Sequence, residues 1–440
     1  MSLFGSSGIR GLANSEITPE LALDIGLAAG TIYGSAVIGR DPRTSGEMIE
    51  HALVSGLLSA GCDASLAGMV PTPTLAFAAR DYECGLMVTA SHNPPEYGGI
   101  KFWNSDGKAF STQQQDELES IITNRSWKKA AWDRIGKLSI KSGAVEEHSA
   151  RILGNVGHAS LKVVVDCGCG AASVITPYVL REMGCEVIAL NSQPDGHFPG
   201  RNPEPVEKNL SVLKNTVESS GADLGIAHDG DADRMMAVDN MGNYVSGDKL
   251  LAFFALRMAK TAVVVPVNTS LVIDELLQGV KISRTKVGDV YVAEELKRIK
   301  GDFGGEPSGT WIFPEVSLCP DGILAAARLV EIIGREGYFN KLLESIPVYP
   351  VKQGAFACLD KEKAMARISG QLRKLGEISI IDGVRLELPD GWILVRPSGT
   401  EPVIRVTVES RQLSPESSLL SRNRCDELYE MASGIVGDAV

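Results

Sequence analysis

The sequence predicts an α/β protein made of repeated strand, polar loop and helix units, closed by a last segment of different character. Three observations carry this. Short apolar runs such as Ala36-Val37-Ile38-Gly39, Lys162-Val163-Val164-Val165-Asp166 and Ala262-Val263-Val264-Val265-Pro266-Val267 read as buried strands. Each is followed by a polar or glycine-rich stretch and a helical pattern, the alternation of largely parallel or mixed sheets flanked by helices. From about residue 350 the order changes to strands around one helix. Ligands of such sheets gather at loops beyond strand ends, so the polar loops of four units are expected to face one cleft.

In chain order, Phe4-Gly5-Ser6-Ser7-Gly8-Ile9-Arg10-Gly11 opens the first unit; its glycines permit close backbone approach and present Arg10 as an anion contact. A helix over about Pro19 to Tyr33 leads to the strand at Ala36, the polar loop Arg40 to Gly46 and another helix. Gly85-Leu86-Met87-Val88 is a further buried strand, and Asn93-Pro94-Pro95 forbids a helix directly behind it. Ser91, in Thr89-Ala90-Ser91-His92-Asn93-Pro94, therefore lies on a strand-exit loop, where one hydroxyl can covalently carry a phosphate. Taken alone, the segment also reads as a turn held by Ser, Asn and Pro. Gly99-Ile100-Lys101-Phe102 then brings back a lysine, and a capped amphipathic helix begins near Ser111-Thr112.

The pattern restarts near residue 155, where Lys162 to Asp166 feeds the glycine-rich Cys167 to Ala172 and a helix to about Met183. Leu224-Gly225-Ile226-Ala227 and Met235-Met236-Ala237-Val238 read as strands on either side of the acidic loop His228 to Arg234. A third restart follows a helix near 248 to 259 and carries the loops Lys286-Val287-Gly288-Asp289 and Gly304 to Gly309, before a helix of about Asp321 to Arg335. In the last segment Trp392 to Val395 enters Arg396-Pro397-Ser398-Gly399-Thr400-Glu401-Pro402, Val403 to Val406 leaves it, and a helix from about Pro415 ends the chain. The domains expected are 1–154, 155–250, 251–350 and 351–440.

The loops hold the chemistry. Asp229, Asp231 and Asp233 alternate, so a looped backbone turns three carboxylates toward one point, where they repel without a cation. Oxygen ligands with positions left for phosphate oxygens suit Mg²⁺. An EF-hand is excluded, because Asn240 stands where its closing glutamate belongs and strands replace the flanking helices. Arg234 is placed to touch phosphate. Arg396, Ser398 and Thr400, with the exposed backbone N–H groups of that loop, can surround a phosphate dianion, and Arg405 adds charge. Glu306 and Ser308 offer an acceptor and a donor to adjacent sugar hydroxyls, and Lys101 a proton.

A net charge of -12 over 440 residues excludes a basic footprint for nucleic acid or an anionic membrane. No run approaches the length of a membrane helix and no leader pattern opens the chain, so a cytoplasmic protein is expected. Eight cysteines without paired Cys-x-x-Cys units give neither a disulfide framework nor a zinc site.

Taken together, Thr89-Ala-Ser91-His-Asn-Pro, Asp229-Gly-Asp231-Ala-Asp233-Arg234, Gly305-Glu306-Pro-Ser308-Gly and Arg396-Pro-Ser398-Gly-Thr400-Glu-Pro, in that order over nearly the whole chain, resemble the α-D-phosphohexomutase family. The opening Phe4 to Gly11 and the Asp195-Gly-His-Phe-Pro and Asn202-Pro-Glu-Pro stretches resemble it too. The resemblance implies a heart-shaped four-domain enzyme, three related α/β domains with mixed sheets plus a smaller, mobile α+β C-terminal domain. It implies phosphate on Ser91, and Mg²⁺ on Asp229, Asp231, Asp233 and a phosphoserine oxygen. It also implies Lys101 as general acid/base; Arg10, His92 and Arg234 around the phosphoserine; Glu306 and Ser308 on the sugar; and Arg396, Ser398, Gly399 and Thr400 on the phosphate not being transferred. The reaction passes through a sugar 1,6-bisphosphate that turns in the cleft. The loop containing Lys286 and Asp289 is similar to members acting on glucosamine phosphate, with mannose or glucose phosphates as the alternative; Thr310 departs from the histidine usual in bacterial members. Partners expected are a small hexose or hexosamine phosphate and a second copy of the chain. Two rivals remain. A Mg²⁺-dependent phosphatase with an aspartate nucleophile leaves Ser91 unexplained, and a non-catalytic sugar-phosphate binder has no need of Ser91, Lys101 and three aspartates together.

Overall fold

The computed structural model describes residues 3–5, 8–398, 402–411 and 418–440. Among them the strands form four sheets, one for each unit. The first has the order Ile9–Leu12, Tyr97–Asn104, Cys84–Val88, Ser35–Arg40, Asp63–Met69 and Leu138–Ile140, in which Tyr97–Asn104 alone runs against the others. The second has the order Tyr244–Val245, Met235–Val238, Leu224–His228, Lys162–Asp166 and Glu186–Leu190. The third is Lys281–Thr285, Ala262–Pro266, Phe303–Glu306 and Thr310–Ile312.

These three mixed sheets share one arrangement that places the chemistry. In each, a buried strand has a parallel neighbour on one side and an antiparallel neighbour, next in the chain, on the other. The turn joining the antiparallel pair is the Ser91 loop in the first unit, the aspartate loop in the second and the Glu306 to Thr310 turn in the third. The last sheet is antiparallel throughout, in the order Val351–Ala357, Val403–Ser410, Gly391–Pro397, Val384–Leu388 and Ile378–Ser379, packed against helices Lys361–Leu372 and Ser418–Gly437.

Helix starts follow their caps. The Asp321 carboxylate accepts from the amides of Ile323 and Leu324 at 3.0 and 2.9 Å and starts helix Gly322–Glu336. Ser111 and Gln114 form a reciprocal capping box at Thr112–Asn124. Three expectations need correction. The helix read to Met183 is a 3₁₀ turn, Ala171–Val174, followed by Thr176–Glu182, because the chain leaves helical geometry at Ile175 and Pro177 restarts it. Asp289 opens the amphipathic helix Asp289–Ile299, which buries Val290, Val292, Ala293 and Leu296, so only Lys286 to Gly288 are loop. Arg396 lies within a strand, not in the loop after it.

The second and third units share one hydrophobic core, into which the last unit inserts Trp392 and Leu394. Polar contacts fix that insertion. The buried Glu409 carboxylate accepts from the amide of Leu271 at 2.9 Å and from the indole of Trp392 at 2.7 Å, while Arg385 donates to the carbonyl of Val267 and stacks 4.4 Å from the Trp392 ring. Nearby Asp248 accepts from Ser270 N at 2.9 Å; burial, and then the charge of Glu409, raise its pKa to about 6. The folded state therefore holds a proton that the unfolded chain releases above its ordinary carboxylate pKa, and stability falls as pH rises from about 4 to about 6. Asp248→Asn, which keeps the acceptor, is expected to raise stability at pH 7 by about 1–3 kcal/mol, with the gain vanishing near pH 4. Denaturant melts at the two pH values check this.

Candidate active site

Ser91 follows strand Cys84–Val88 with φ 52°, a left-handed conformation uncommon for a side-chain-bearing residue and maintained only where surroundings enforce it. The enforcing groups are Asp41 and Arg43, both buried. Arg43 donates to Asp41 at 3.1 Å and to four carbonyls of the loop: Ser91 at 2.8 Å, Asn93 at 2.6 Å, Pro94 at 2.6 Å and Tyr97 at 3.0 Å. Asp41 also accepts from Thr89 Oγ1 at 2.7 Å, and that hydroxyl accepts from Ser91 N at 2.8 Å. Neither Asp41 nor Arg43 stood out in the sequence; their one signal is a polar loop leaving the strand beside the one that ends at Ser91. Arg43→Lys, which retains the charge but cannot reach four carbonyls, is expected to lower kcat about 100-fold by misplacing Ser91, with little change in KM. Steady-state kinetics check this.

The aspartate loop arrives from the second unit. Ser91 Oγ donates to Asp229 Oδ2 at 2.7 Å, and Arg234 N donates to Asp229 Oδ1 at 3.2 Å. A Cβ on Gly230 would stand 2.7 Å from the Ser91 carbonyl, so this approach requires glycine. Ala232 is left-handed, at φ 59°. Thr72 of the first unit clamps the loop twice, its hydroxyl donating to Asp231 Oδ2 at 2.5 Å and its amide to the Asp231 carbonyl at 2.9 Å.

Asp229, Asp231 and Asp233 are buried, and one ligand oxygen from each falls within 4.8 Å of the others. Lys101, buried on strand Tyr97–Asn104, donates to Asp231 at 2.8 Å and to Asp233 at 2.5 Å. Burial lowers the Lys101 pKa, but the two carboxylates outweigh it and hold the ammonium protonated. Burial, and then its acidic neighbours, push Asp229 and Asp233 up, while the Lys101 charge overcomes burial at Asp231 and holds it down. One ammonium thus faces three carboxylates, and Asp231 Oδ1 and Asp233 Oδ1 are buried without a hydrogen-bond partner. Orphaned carboxylate oxygens of this kind fit a divalent cation.

The cationic side is as incomplete. Arg10 and Arg234 are half-buried, and each has a buried Nε without a partner. Arg10 Nη1 reaches Asn93 Oδ1 at 3.2 Å. His92 Nδ1 lies 3.5 Å from Ser91 Oγ; burial, then the charges of Arg234, Arg10 and Lys101, bring its pKa down to about 2, so the ring is neutral.

The third unit joins by backbone: Met235 N donates to the Gly309 carbonyl at 2.9 Å and the Trp311 indole to the Met235 carbonyl at 2.7 Å. Glu306 is buried, with its pKa raised by burial and then by the charge of Asp289; it accepts from Gly288 N at 2.7 Å and from Thr310 Oγ1 at 3.2 Å. Thr310, which departs from the family pattern, thus holds Glu306. Ser308 is exposed, 3.4 Å from Glu306. Asp289 and Lys101 line one small cavity, whereas Lys286 is exposed over the Tyr291 ring and joins none of the other predicted groups.

In the last unit Arg396 and Arg405 stand opposite each other across an antiparallel pair. Arg396 has a buried Nε without a partner, and Lys361 donates to the Ser398 carbonyl at 2.5 Å. Gly399 and Thr400 lie outside the described residues. Among the described residues no helix is long and apolar enough to cross a membrane.

Models of the phosphoglucomutase/phosphomannomutase family match the chain in four parts: alpha/beta/alpha domain I at residues 1–129, domain II at 146–242, domain III at 246–349 and the C-terminal domain at 353–417. The chain is 57% identical to a probable phosphoglucosamine mutase of Methanosarcina acetivorans, over 100% of both proteins. It is 54% identical to one of Methanococcoides burtonii, again over 100% of both. A crystal structure of a phosphoglucomutase/phosphomannomutase family protein from Burkholderia thailandensis superposes with a TM-score of 0.87 at 28% identity, covering 99% of this chain and 98% of that one.

Proposed function

The chain belongs to the phosphoglucomutase/phosphomannomutase family, the α-D-phosphohexomutases, and from that premise we propose that it interconverts glucosamine 6-phosphate and glucosamine 1-phosphate by way of phosphorylated Ser91. It is a phosphosugar mutase, an isomerase-type enzyme of four domains, three of them alpha/beta/alpha. The observation that carries the serine reading is the Ser91 hydroxyl on Asp229 in a site with unfinished groups of both signs: orphaned carboxylate oxygens on Asp231 and Asp233, and unpartnered guanidinium nitrogens on Arg10 and Arg234. Phosphate and its cation on that hydroxyl would give both sets a partner, which the phosphatase and the simple binder do not require.

Asp229, Asp231 and Asp233, joined by an oxygen of phosphorylated Ser91, would hold Mg²⁺. That ion, when bound, neutralises charge on the transferring phosphoryl oxygens and on the carboxylates that hold Lys101 protonated. The chain supplies the rest. A free sugar hydroxyl attacks phosphorus, the bond from phosphorus to Ser91 Oγ breaks, the Lys101 ammonium gives a proton to the leaving Ser91 Oγ, and the hydroxyl proton takes its place on Nζ. The product is a sugar 1,6-bisphosphate; it turns, and the reverse transfer from its other end restores phosphoserine. Arg10 and Arg234 stabilise the charge of the moving group, while neutral His92 adds no charge. Glu306 and Ser308 orient the sugar hydroxyls, and Arg396, Ser398 and Thr400 grip the distal phosphate. No phosphate is consumed.

Relatives named for glucosamine phosphate, together with a Lys286 to Asp289 segment whose Gly288 amide orients Glu306, support the amino sugar. The test compares kcat/KM on glucosamine 6-phosphate, mannose 1-phosphate and glucose 1-phosphate with Mg²⁺ and a sugar bisphosphate activator. A preference of about tenfold or more for the amino sugar is expected. Equal or greater rates on mannose and glucose phosphates assign the enzyme to those sugars.

A further inference from the structure

Asp382 is the turn residue that joins the phosphate grip of the last unit to the sugar-binding loop of the third. It lies between strands Ile378–Ser379 and Val384–Leu388. Gly383 after it is left-handed at φ 75°, and a Cβ there would stand 2.2 Å from the Val395 carbonyl and 2.9 Å from Arg396 Cα. The turn is therefore pressed against the strand that carries Arg396. A single oxygen, Asp382 Oδ2, accepts from Arg396 Nη2 at 2.7 Å and from Val287 N at 3.0 Å. The next amide, Gly288 N, donates to Glu306 Oε1 at 2.7 Å. A continuous path thus runs from Arg396 through Asp382 and two consecutive amides to Glu306. Arg396 Nε is buried and left without a partner.

We propose that Asp382 is a positioning residue that fastens the last domain over the cleft, so that the bisphosphorylated sugar is retained while it turns. The inference rests on the mutase reading above. A closure contact must hold during the turn and release afterwards. The Asp382 and Arg396 side chains are 19% and 27% exposed, so solvent screens the pair, as such a contact requires.

The experiment uses wild type, Asp382→Asn and Asp382→Ala, each loaded on Ser91 with labelled phosphate and then given sugar monophosphate. Bisphosphate released to solution per turnover is measured, and the mutase rate is followed against added glucose 1,6-bisphosphate. Asp382→Ala is expected to release about tenfold more bisphosphate, to depend more steeply on added activator and to recover most of its kcat when activator saturates. Asp382→Asn, which keeps an acceptor for Val287 N but loses the charge facing Arg396, falls between. Unchanged release in both variants with an active wild type overturns this inference alone, as does a loss of kcat that activator does not restore. A wild type that forms no bisphosphate overturns the mutase reading and this inference with it.

Discussion

Ser91→Ala is expected to abolish mutase turnover, by about 10⁴-fold or more, while leaving the fold intact. The loop owes its shape to Arg43 on four carbonyls and to Thr89 Oγ1 on the Ser91 amide, contacts that the substitution retains. Alanine meets the same left-handed backbone at φ 52° that serine does. The lost group is the hydroxyl 2.7 Å from Asp229, the one atom that can accept and return a phosphoryl group in this account. The variant should still bind sugar phosphate through Glu306 and Arg396. Isomerisation assays beside thermal melts decide it: a folded variant that keeps about a tenth of its activity would reject serine as the carrier.

Lys101→Met is expected to have two large effects. Turnover falls by about 10²–10⁴-fold as the proton-handling group is lost. Removing the ammonium also leaves Asp231 and Asp233 buried without their shared partner, which destabilises the metal-free protein by about 3–5 kcal/mol. Mg²⁺ bound at the same carboxylates would restore charge balance, so it should raise the variant's Tm more than that of wild type, because a ligand stabilises the state it binds. Melts of both proteins in chelator and in Mg²⁺ measure the difference. Equal shifts would mean that lysine and metal do not share the aspartates.

Residues proposed to perform the chemistry were legible because their types stand together in short polar loops after apolar strands: Ser91 and His92, the three aspartates, Glu306 and Ser308. Topology explains why they converge, since each of the first three units brings its loop out of the same antiparallel pair. Residues that position these loops were not legible. Arg43 acts on backbone carbonyls 48 to 54 residues away, and Thr72 on an aspartate 159 residues away, contacts without a local signature. Asp382 before Gly383 reads only as a turn. The glycine of Val287-Gly288-Asp289 reads as loop and masks the start of helix Asp289–Ile299, whose apolar spacing at 290, 293 and 296 marks a helical face.

The most direct test of the central claim is to locate the phosphoryl group. Purified protein is incubated with glucose 1,6-bisphosphate and Mg²⁺, digested and fragmented by mass spectrometry, then challenged with sugar monophosphate. Phosphate on Ser91 that is discharged to the sugar is the result expected; isomerisation without phosphate on Ser91, or with phosphate on Asp229, would contradict the account.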